Sequence, residues 1–337
     1  MNMMARKISP GARNISIGVA VVIVLAVMGG LLGYFLTRGN RFLDSSPLNS
    51  TTLDPSLHKS FWGIDYTPLN AQFPICGSKQ QDITEDIKVL SQLTSRLRLY
   101  GMDCNQAEFT LQAIQDLKVD VKVVLTVWVD GNSTTYQRQS QDLFNTIKRF
   151  GPQHIYGISV GNEAFFRKEI SHQELYSHIS DVRQQLKGLG YNIPVTTSDL
   201  GSNYTPELMN HVDFSLANIH PYFAGTLVSD AANWTLNYFQ QNIVVPSKAA
   251  GRQAIISEVG WPTKGDPERG AVASMANLQY FLDNFLCQAN SQGIEYFWFE
   301  ALDEPWKTQQ FTVLEGNWGL LTTDRKLKAK IPNCPIS

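Results

Sequence analysis

The sequence has little excess charge of either sign. Its 337 residues include 28 Lys and Arg against 30 Asp and Glu, which gives a formal net charge of -2. A protein that binds a phosphate backbone needs a strongly positive surface, and this composition does not provide one. We therefore expect no nucleic-acid partner.

Cysteine is scarce, and the motifs of common metal and dinucleotide sites are missing. The even number of cysteines has no Cys-x-x-Cys or His-rich spacing, which favours disulfides formed outside the cytosol over a metal site. Three pairings are open, and we favour Cys76–Cys104 and Cys287–Cys334 because each pair joins neighbouring cysteines of the chain. No Gly-x-Gly-x-x-Gly follows the first predicted strand, and no metal or cofactor is implied.

One long uncharged segment, residues 15–36, lies near the N-terminus. As a helix it would be roughly 33 Å long, against about 30 Å for the hydrocarbon core of a bilayer. A cleaved signal peptide is the alternative, although its apolar stretch is usually about 7–15 residues. Basic residues lie on both sides of this apolar segment, and their distribution modestly favours a cytoplasmic location for residues 1–14. We predict a single transmembrane signal anchor with the remainder extracellular, or a chain secreted to the cell wall if the segment is cleaved.

The region after the apolar segment carries two signs of an extracellular location. Residues 37–60 are polar and without hydrophobic period, which indicates a stem before a folded domain at 61–337. Asn-x-Ser/Thr sequons, which are potential glycosylation sites, follow the segment at Asn49, Asn132, Asn203 and Asn233.

From residue 61 onward, short apolar runs alternate with amphipathic stretches, a pattern typical of buried parallel strands and crossover helices. The predicted strands are 62–66, 96–100, 121–128, 155–160, 195–198, 214–219, 254–257 and 296–299. Ser171 and Glu174 form a capping box that predicts a helix through Lys187, whereas the gap 199–213 has the weakest helix signal. The fold class is therefore α/β, a (β/α)8 TIM barrel preceded by the transmembrane helix, with a doubly wound open sheet as the alternative.

Two glutamates follow predicted strands of this barrel. Glu163 comes after the fourth strand and Glu258 after the seventh, so both side chains are expected at the face where barrel enzymes keep their active sites. A single Glu after a strand is more often a hydrogen-bond partner or ion-pair member. Glycoside cleavage, however, needs two carboxyl groups, one to protonate the leaving oxygen and one to attack the sugar or activate water. The pair indicates a glycosidase.

The motifs around both glutamates resemble those of glycoside hydrolase family 17, whose members act on β-1,3-glucan. Val160-Gly-Asn-Glu163 resembles the acid/base motif, and Ser257-Glu-Val-Gly-Trp-Pro262 resembles the more specific nucleophile motif. Three further motifs occur in the order found in the family, so the resemblance covers residues 61–331: Arg98-Leu-Tyr100, Pro221-Tyr-Phe-Ala224 and Glu304-Pro-Trp-Lys307.

The resemblance implies roles for individual residues. Glu163 would be the acid/base and Glu258 the nucleophile, with Asn162 donating to the 2-hydroxyl of the sugar. Tyr222 would line the substrate pocket and hold the nucleophile's carboxylate. The remaining residues implied to bind substrate are Tyr66, Tyr100, Glu304 and Lys307, the last two as an accessory acid and base pair; for both tyrosines a role in the core is the alternative.

Aromatic residues at strand ends are candidates for stacking on sugar rings. Trp128 ends the third strand and Trp261 follows the nucleophile, so both are expected at the site, whereas Trp298 lies inside a strand and is expected in the core. We interpret His220 as a structural donor, because two carboxyl groups already account for the proton transfers.

The resemblance is closer to the fungal cell-wall branch of the family, some members of which are glucanosyltransferases. It implies a retaining endo-β-1,3-glucanase or β-1,3-glucanosyltransferase whose partner is β-1,3-glucan. Residue spacing does not separate hydrolysis from transfer. Two alternatives stay open, namely a retaining barrel that acts on another β-glucan linkage and a non-catalytic glucan-binding wall protein.

Overall fold

The computed structural model describes residues 56–336. Eight parallel strands pair in chain order, and the last pairs with the first, so that the sheet closes into a barrel. The closed barrel confirms the predicted architecture and excludes the doubly wound open sheet. The strands are β1 (Gly63–Asp65), β2 (Arg96–Arg98), β3 (Lys122–Val127), β4 (Ile155–Asn162), β5 (Val195–Leu200), β6 (Phe214–Asn218), β7 (Gln253–Val259) and β8 (Tyr296–Trp298).

Helices connect the strands and cover the outside of the barrel. They are α1 (Gln80–Leu93), α2 (Gln106–Leu117), α3 (Ser133–Phe150), α4 (His172–Gly188), α5 (Pro206–His211), α6 (Val228–Phe239), α7 (Val245–Ala249), α8 (Met275–Ser291) and α9 (Pro305–Gln310). A π-helical segment, Gln240–Val244, joins α6 to α7. Apolar residues recur every three or four positions on the inner face, as Ile83, Ile87 and Leu90 do on α1.

The helix signals in the sequence are matched by observed caps. Ser171 precedes α4, and its side chain accepts from the N–H of Glu174, as the capping box predicts. The weak gap 199–213 contains a single 3-10 turn, Gly201–Asn203, and the short helix α5, which begins after the cap residue Thr205. A helix of this length presents too few residues for a hydrophobic period to be visible in the sequence.

The amino-terminal end of the barrel is filled by aromatic rings. Trp62 meets Phe297 edge to face at a centroid distance of 5.3 Å and Tyr156 at 5.6 Å. Gly63 is required beside them, because a Cβ at this position would lie 2.5 Å from the ring of Phe297. Apolar packing at this end leaves the polar side chains of the barrel interior at the carboxyl ends of the strands.

Two disulfides link the loops around the barrel. Cys76 pairs with Cys104 at a Cα–Cα distance of 4.7 Å, and Cys287 pairs with Cys334 at 5.0 Å, which confirms the favoured pairing. The first bridge joins the loops that follow β1 and β2. The second joins α8 to the C-terminal segment, where Asn290 also donates to the carbonyl of Cys334.

The predicted cytoplasmic segment 1–14, the anchor 15–36 and the larger part of the predicted stem lie outside the described residues. Among residues 56–336, no helix combines the length and the apolar character needed to cross a bilayer. The anchor, the stem and the domain boundary at residue 61 stay predictions.

Candidate active site

Both predicted glutamates lie at the carboxyl ends of their strands. Glu163 directly follows β4, and Glu258 lies within β7, which continues past the predicted 254–257. The backbone of Glu163 has a φ of 55°, uncommon for a residue other than glycine, and its N–H donates to the carbonyl of Ser198 at 2.7 Å. The register of β6 and β7 shifts where Asn218 pairs with Glu258, and such irregularities re-aim side chains beside active sites.

Glu258 is buried and surrounded by hydrogen-bond donors. Arg98 Nη1 lies 3.1 Å and the Tyr100 hydroxyl 2.9 Å from Oε1, while His220 Nε2 lies 3.0 Å from Oε2. Burial raises the pKa of Glu258, but the hydrogen bond with His220 and the charge of Arg98 outweigh it and lower this pKa to about 2. Glu258 is therefore anionic at ordinary pH, as a nucleophile must be.

Glu163 has a contrasting environment. Asn218 Nδ2 donates to its Oε1 at 2.8 Å, and Asn218 Oδ1 accepts from Ser198 and Ser257, which fixes the orientation of the amide. Burial and the negative charge of Glu258 raise the pKa of Glu163, against the opposing effect of the Asn218 hydrogen bond. The pKa values of the two glutamates are thus shifted in opposite directions, which suits a proton donor beside a nucleophile.

Arg98 lies beneath the glutamates and donates hydrogen bonds to three side chains. Its Nη1 is 2.9 Å from Asp65 Oδ1 and also reaches Glu258, while its Nη2 is 2.7 Å from Asn162 Oδ1. Because the amide oxygen of Asn162 accepts from Arg98, its Nδ2 is left as the group that can donate to a ligand. This orientation is compatible with the predicted contact to a sugar hydroxyl.

Two of the predicted substrate-binding residues lie away from the site. The Tyr66 hydroxyl donates to Asp86 on α1 at 2.6 Å, and the ring is fully buried between barrel and helix. Trp261 is also fully buried, with its ring against Phe281 and its Nε1 donating to the carbonyl of Val272. Neither ring offers a free face to a sugar, so both predictions are corrected to roles in the core.

The prediction that Tyr222 holds the nucleophile's carboxylate is wrong. Its hydroxyl donates to the carbonyl of Asp266 at 2.7 Å, and the side chain of this loop that reaches Glu258 is His220. Strand β6 ends at Asn218, so the alternation of side chains along the strand does not determine the directions of these loop residues.

Trp128 lies at the end of β3 as predicted and is half-buried. The guanidinium of Arg167 lies 4.3 Å from the centroid of its ring, a cation–π arrangement that covers one ring face. The Arg167 side chain also donates to the carbonyls of Asn162 and Val129, so it holds the ring beside the acid/base loop. A role for Trp128 in sugar stacking stays a prediction.

The predicted Glu304 and Lys307 pair has a third member, Glu300. Lys307 Nζ lies 3.2 Å from both oxygens of Glu300 and 3.1 Å from Glu304 Oε1. Burial and the charge of Glu304 raise the pKa of Glu300 well above its usual value. Burial also raises the pKa of Glu304, but the charge of Lys307 and the hydrogen bonds with Glu300, Lys307 and Trp306 together lower it. Among residues 56–336, no group of three or more His, Cys, Asp or Glu side chains is arranged to hold a metal ion.

Sequence reasoning missed part of the hydrogen-bond network around the two glutamates. The sequence patterns predict no role for Asp65 or Asn218, and they place Arg98 only within a family motif. A usable signal was present, because a charged residue within an apolar strand needs a partner, and Asp65 and Arg98 lie on adjacent predicted strands.

The sequons differ in accessibility. Asn132 and Asn233 are exposed, the first at the N-cap of α3 and the second on α6. Asn203 is half-buried, and its Nδ2 donates to Asp199 at 2.6 Å. Asn49 lies outside the described residues. Glycosylation stays a prediction, and the two exposed asparagines are the more suitable acceptors.

Comparison with known proteins defines the family. The model of the BtgE/BtgC glycoside hydrolase domain matches residues 63–319, which include all eight strands. The chain belongs to this family.

The probable glucan endo-1,3-beta-glucosidase btgC of Aspergillus flavus is 41% identical over 323 residues, covering 88% of this chain and 47% of that protein. The glucan endo-1,3-beta-glucosidase btgC of Emericella nidulans is 36% identical, covering 88% and 50%. The chain thus spans about half the length of the curated relatives it matches.

Solved structures agree with this membership. The glycoside hydrolase family 17 β-1,3-glucanosyltransferase of Rhizomucor miehei has a TM-score of 0.71 at 28% identity, covering 81% of this chain and 97% of that one. An active-site mutant of that enzyme was solved in complex with laminaritriose. An endo-laminarinase from Formosa Hel1_33_131, at 17% identity and a TM-score of 0.69 over 80% of this chain and 85% of that one, supports the fold alone. The resemblance to family 17 is confirmed.

Proposed function

We propose that this chain is a retaining enzyme of β-1,3-glucan, which cleaves the chain and passes the glucosyl unit to water or to a second glucan. The observation that carries the proposal is the opposite environment of two carboxyl groups at one barrel mouth. Glu258 is held ionised by three donors, while burial and the neighbouring charge favour a protonated Glu163. The names of the btgC relatives and of the Rhizomucor miehei transferase support the substrate class.

In the first step, Glu258 attacks the anomeric carbon and the bond to the leaving oxygen breaks. The electron pair of that bond leaves with the oxygen, which takes the proton of Glu163. Glu258 then carries the sugar as an ester and has no charge. Asn162 Nδ2 is the proposed donor to the 2-hydroxyl of this sugar.

In the second step, Glu163 acts as a base. The charge of Glu258 raises the pKa of Glu163 in the free enzyme, and the ester removes that charge. The pKa of Glu163 therefore falls once the intermediate has formed, so the ionised form that can take a proton is favoured. The acceptor oxygen attacks the anomeric carbon, its proton passes to Glu163, and Glu258 returns to a carboxylate.

The surroundings of the two glutamates have supporting roles in the proposal. Tyr100 and His220 hold the nucleophile, and Trp128 provides an aromatic face beside the acid/base loop. Lys307 lies 5.0 Å from the ring of Phe299, which packs edge to face against His220. The cluster of Lys307, Glu300 and Glu304 would thereby support the wall of the pocket next to the nucleophile.

The proposed location is inferred from the sequence. The uncharged segment 15–36 is proposed to anchor the chain in the cell membrane with the barrel outside, beside the wall glucan. The disulfides and the exposed sequons at Asn132 and Asn233 support this side of the membrane. Cleavage of the segment would release the same barrel into the wall.

Thin-layer chromatography with laminari-oligosaccharides and cello-oligosaccharides tests the function. We expect laminaripentaose to be consumed, with products larger than the substrate if a glucan is the acceptor and only smaller ones if water is. Glu163→Gln and Glu258→Gln variants, which keep shape and lose acidity or charge, are the matched controls for contaminating activity. Consumption of cello-oligosaccharides alone would establish another linkage, and no turnover of either series would contradict a catalytic role and favour the non-catalytic binding protein.

A further inference from the structure

Arg98 is shared by two carboxyl groups. The same nitrogen, Nη1, lies 2.9 Å from Asp65 Oδ1 and 3.1 Å from Glu258 Oε1. The side chains of Arg98 and Asp65 are completely buried, and that of Glu258 is 6% exposed. A buried guanidinium without an anionic partner is strongly destabilised, so the state of both carboxyl groups matters for Arg98.

The proposed reaction removes one of these partners in every cycle. When Glu258 bonds to the anomeric carbon, its carboxylate becomes a neutral ester and no longer balances the charge of Arg98. When the acceptor displaces the ester, the carboxylate is restored. The charge next to Arg98 therefore alternates, although the arginine itself stays protonated.

We propose that Asp65 is a positioning residue that neutralises Arg98 while Glu258 is esterified, and thereby selectively stabilises the covalent intermediate. The inference rests on the proposed function, because it needs an ester on Glu258. Asp65 acts through Arg98, since Arg98 lies between it and Glu258. The inference adds to the mechanism a counterion for Arg98 in the state in which Glu258 is esterified and has no charge.

The surroundings of Asp65 fit this role. It lies at the end of β1, adjacent to Arg98 on β2, and its Oδ2 has no hydrogen-bond partner among residues 56–336. Burial raises the pKa of Asp65 well above its usual value against the charge of Arg98, and the charge of Glu258 adds to the rise. Esterification removes the contribution of Glu258, so the pKa of Asp65 falls in the intermediate, in which Arg98 needs an anion.

The test measures the two chemical steps separately in Asp65→Asn, which keeps the shape and removes the charge. Formation of the intermediate is followed by stopped flow, with enzyme in excess over 2,4-dinitrophenyl β-laminaribioside. Breakdown is followed as the return of activity after trapping with 2-deoxy-2-fluoro-β-laminaribiosyl fluoride and addition of laminaribiose. We expect formation to slow by at least about tenfold, equal to about 1.4 kcal/mol, while breakdown becomes faster.

Asp86→Asn is the matched control. Asp86 is also a buried aspartate paired with an arginine, Arg325 at 2.6 Å, and it has no hydrogen bond to either glutamate. This variant should lose stability but keep the wild-type ratio of the two steps. Asp65→Glu, which keeps the negative charge, should form the intermediate faster than Asp65→Asn and serves as the second variant if Asp65→Asn does not fold.

The outcomes are distinct. An unchanged ratio of the two steps in Asp65→Asn, or equal slowing of both, overturns the role of Asp65. Equal loss in Asp65→Glu and Asp65→Asn also overturns it, because shape rather than charge would then be needed. A wild-type protein that neither releases dinitrophenolate nor is trapped by the fluoride contradicts the proposed function instead.

Discussion

Tyr100 donates its hydroxyl to Glu258 Oε1 at 2.9 Å, the same oxygen that Arg98 contacts. The guanidinium of Arg98 also lies 4.4 Å from the centroid of the Tyr100 ring. One tyrosine therefore binds the nucleophile through its hydroxyl and packs against the cation through its face. The ionisation of Glu258 thus depends on the Tyr100 hydroxyl, which the substitution Tyr100→Phe removes while keeping the ring.

Tyr100→Phe should lower kcat/KM by roughly ten- to a hundredfold, because a hydrogen bond to a charged group is worth about 1.5–3 kcal/mol. The donor helps to lower the pKa of Glu258, so its loss raises that pKa and moves the acidic limb of the pH profile to higher pH. Tyr66→Phe is the control, since Tyr66 bonds Asp86 outside the site. An acidic limb that moves equally in both variants contradicts this assignment.

Asn218→Ala should move the basic limb of the pH profile to higher pH. Asn218 donates to Glu163 and stabilises its ionised form, so removing the amide raises the pKa of Glu163 further. Glu163 must be protonated for the first step, and a higher pKa extends that form to higher pH. The measurement is kcat/KM against pH, and a basic limb that moves to lower pH would refute the role of Asn218.

Lys307→Met should destabilise the fold by about 3–5 kcal/mol, because it leaves two buried carboxyl groups without their cation. Glu300 and Glu304 are each only 1% exposed. Glu300→Gln is the matched control and should cost less, since Lys307 keeps its contact with Glu304. Urea unfolding of both variants tests this, and a greater loss in Glu300→Gln would show that Lys307 is not the centre of the cluster.

Removal of the second disulfide by Cys287→Ser with Cys334→Ser should cost about 4 kcal/mol of unfolding free energy in the chain-entropy account. The two bridges have sequence separations of 47 and 28 residues, so the first bridge should contribute less by about 0.5 kcal/mol. Denaturant unfolding of the two double variants measures the difference. Free thiols at the cysteines of either pair in unreduced peptide maps of the wild type would contradict that pairing.

The strand order and the two glutamates could be predicted because they depend on position along the chain. A residue directly after a buried parallel strand lies at the barrel mouth whatever its loop does, which is why Glu163 and Glu258 were found. Tyr222 and Trp261 lie further into their loops, where the backbone turns and strand periodicity no longer applies. Their directions depend on tertiary packing that one sequence does not encode locally.

The contacts of Asp65 and His220 could not be predicted from the sequence alone, for a related reason. Asp65 reaches Arg98 across adjacent strands, and His220 reaches Glu258 from the loop that follows the neighbouring strand β6. Such pairs join distant parts of the chain, and their register is set by strand stagger and bulges. Burial of a charged residue in a strand predicts that a partner exists, but it does not name the partner.

The stereochemistry of azide products tests the division of labour between Glu163 and Glu258 most directly. Glu258→Ala and Glu163→Ala are each incubated with 2,4-dinitrophenyl β-laminaribioside and azide. The configuration of the product is then assigned by NMR from its anomeric proton. Without Glu258, azide takes the place of the nucleophile and the product should be the inverted α-azide. Without Glu163, the ester on Glu258 still forms and azide displaces it, so the product should be the retained β-azide. The reverse pairing would exchange the two roles, and wild-type turnover of unactivated laminari-oligosaccharides without azide in either variant would contradict the site.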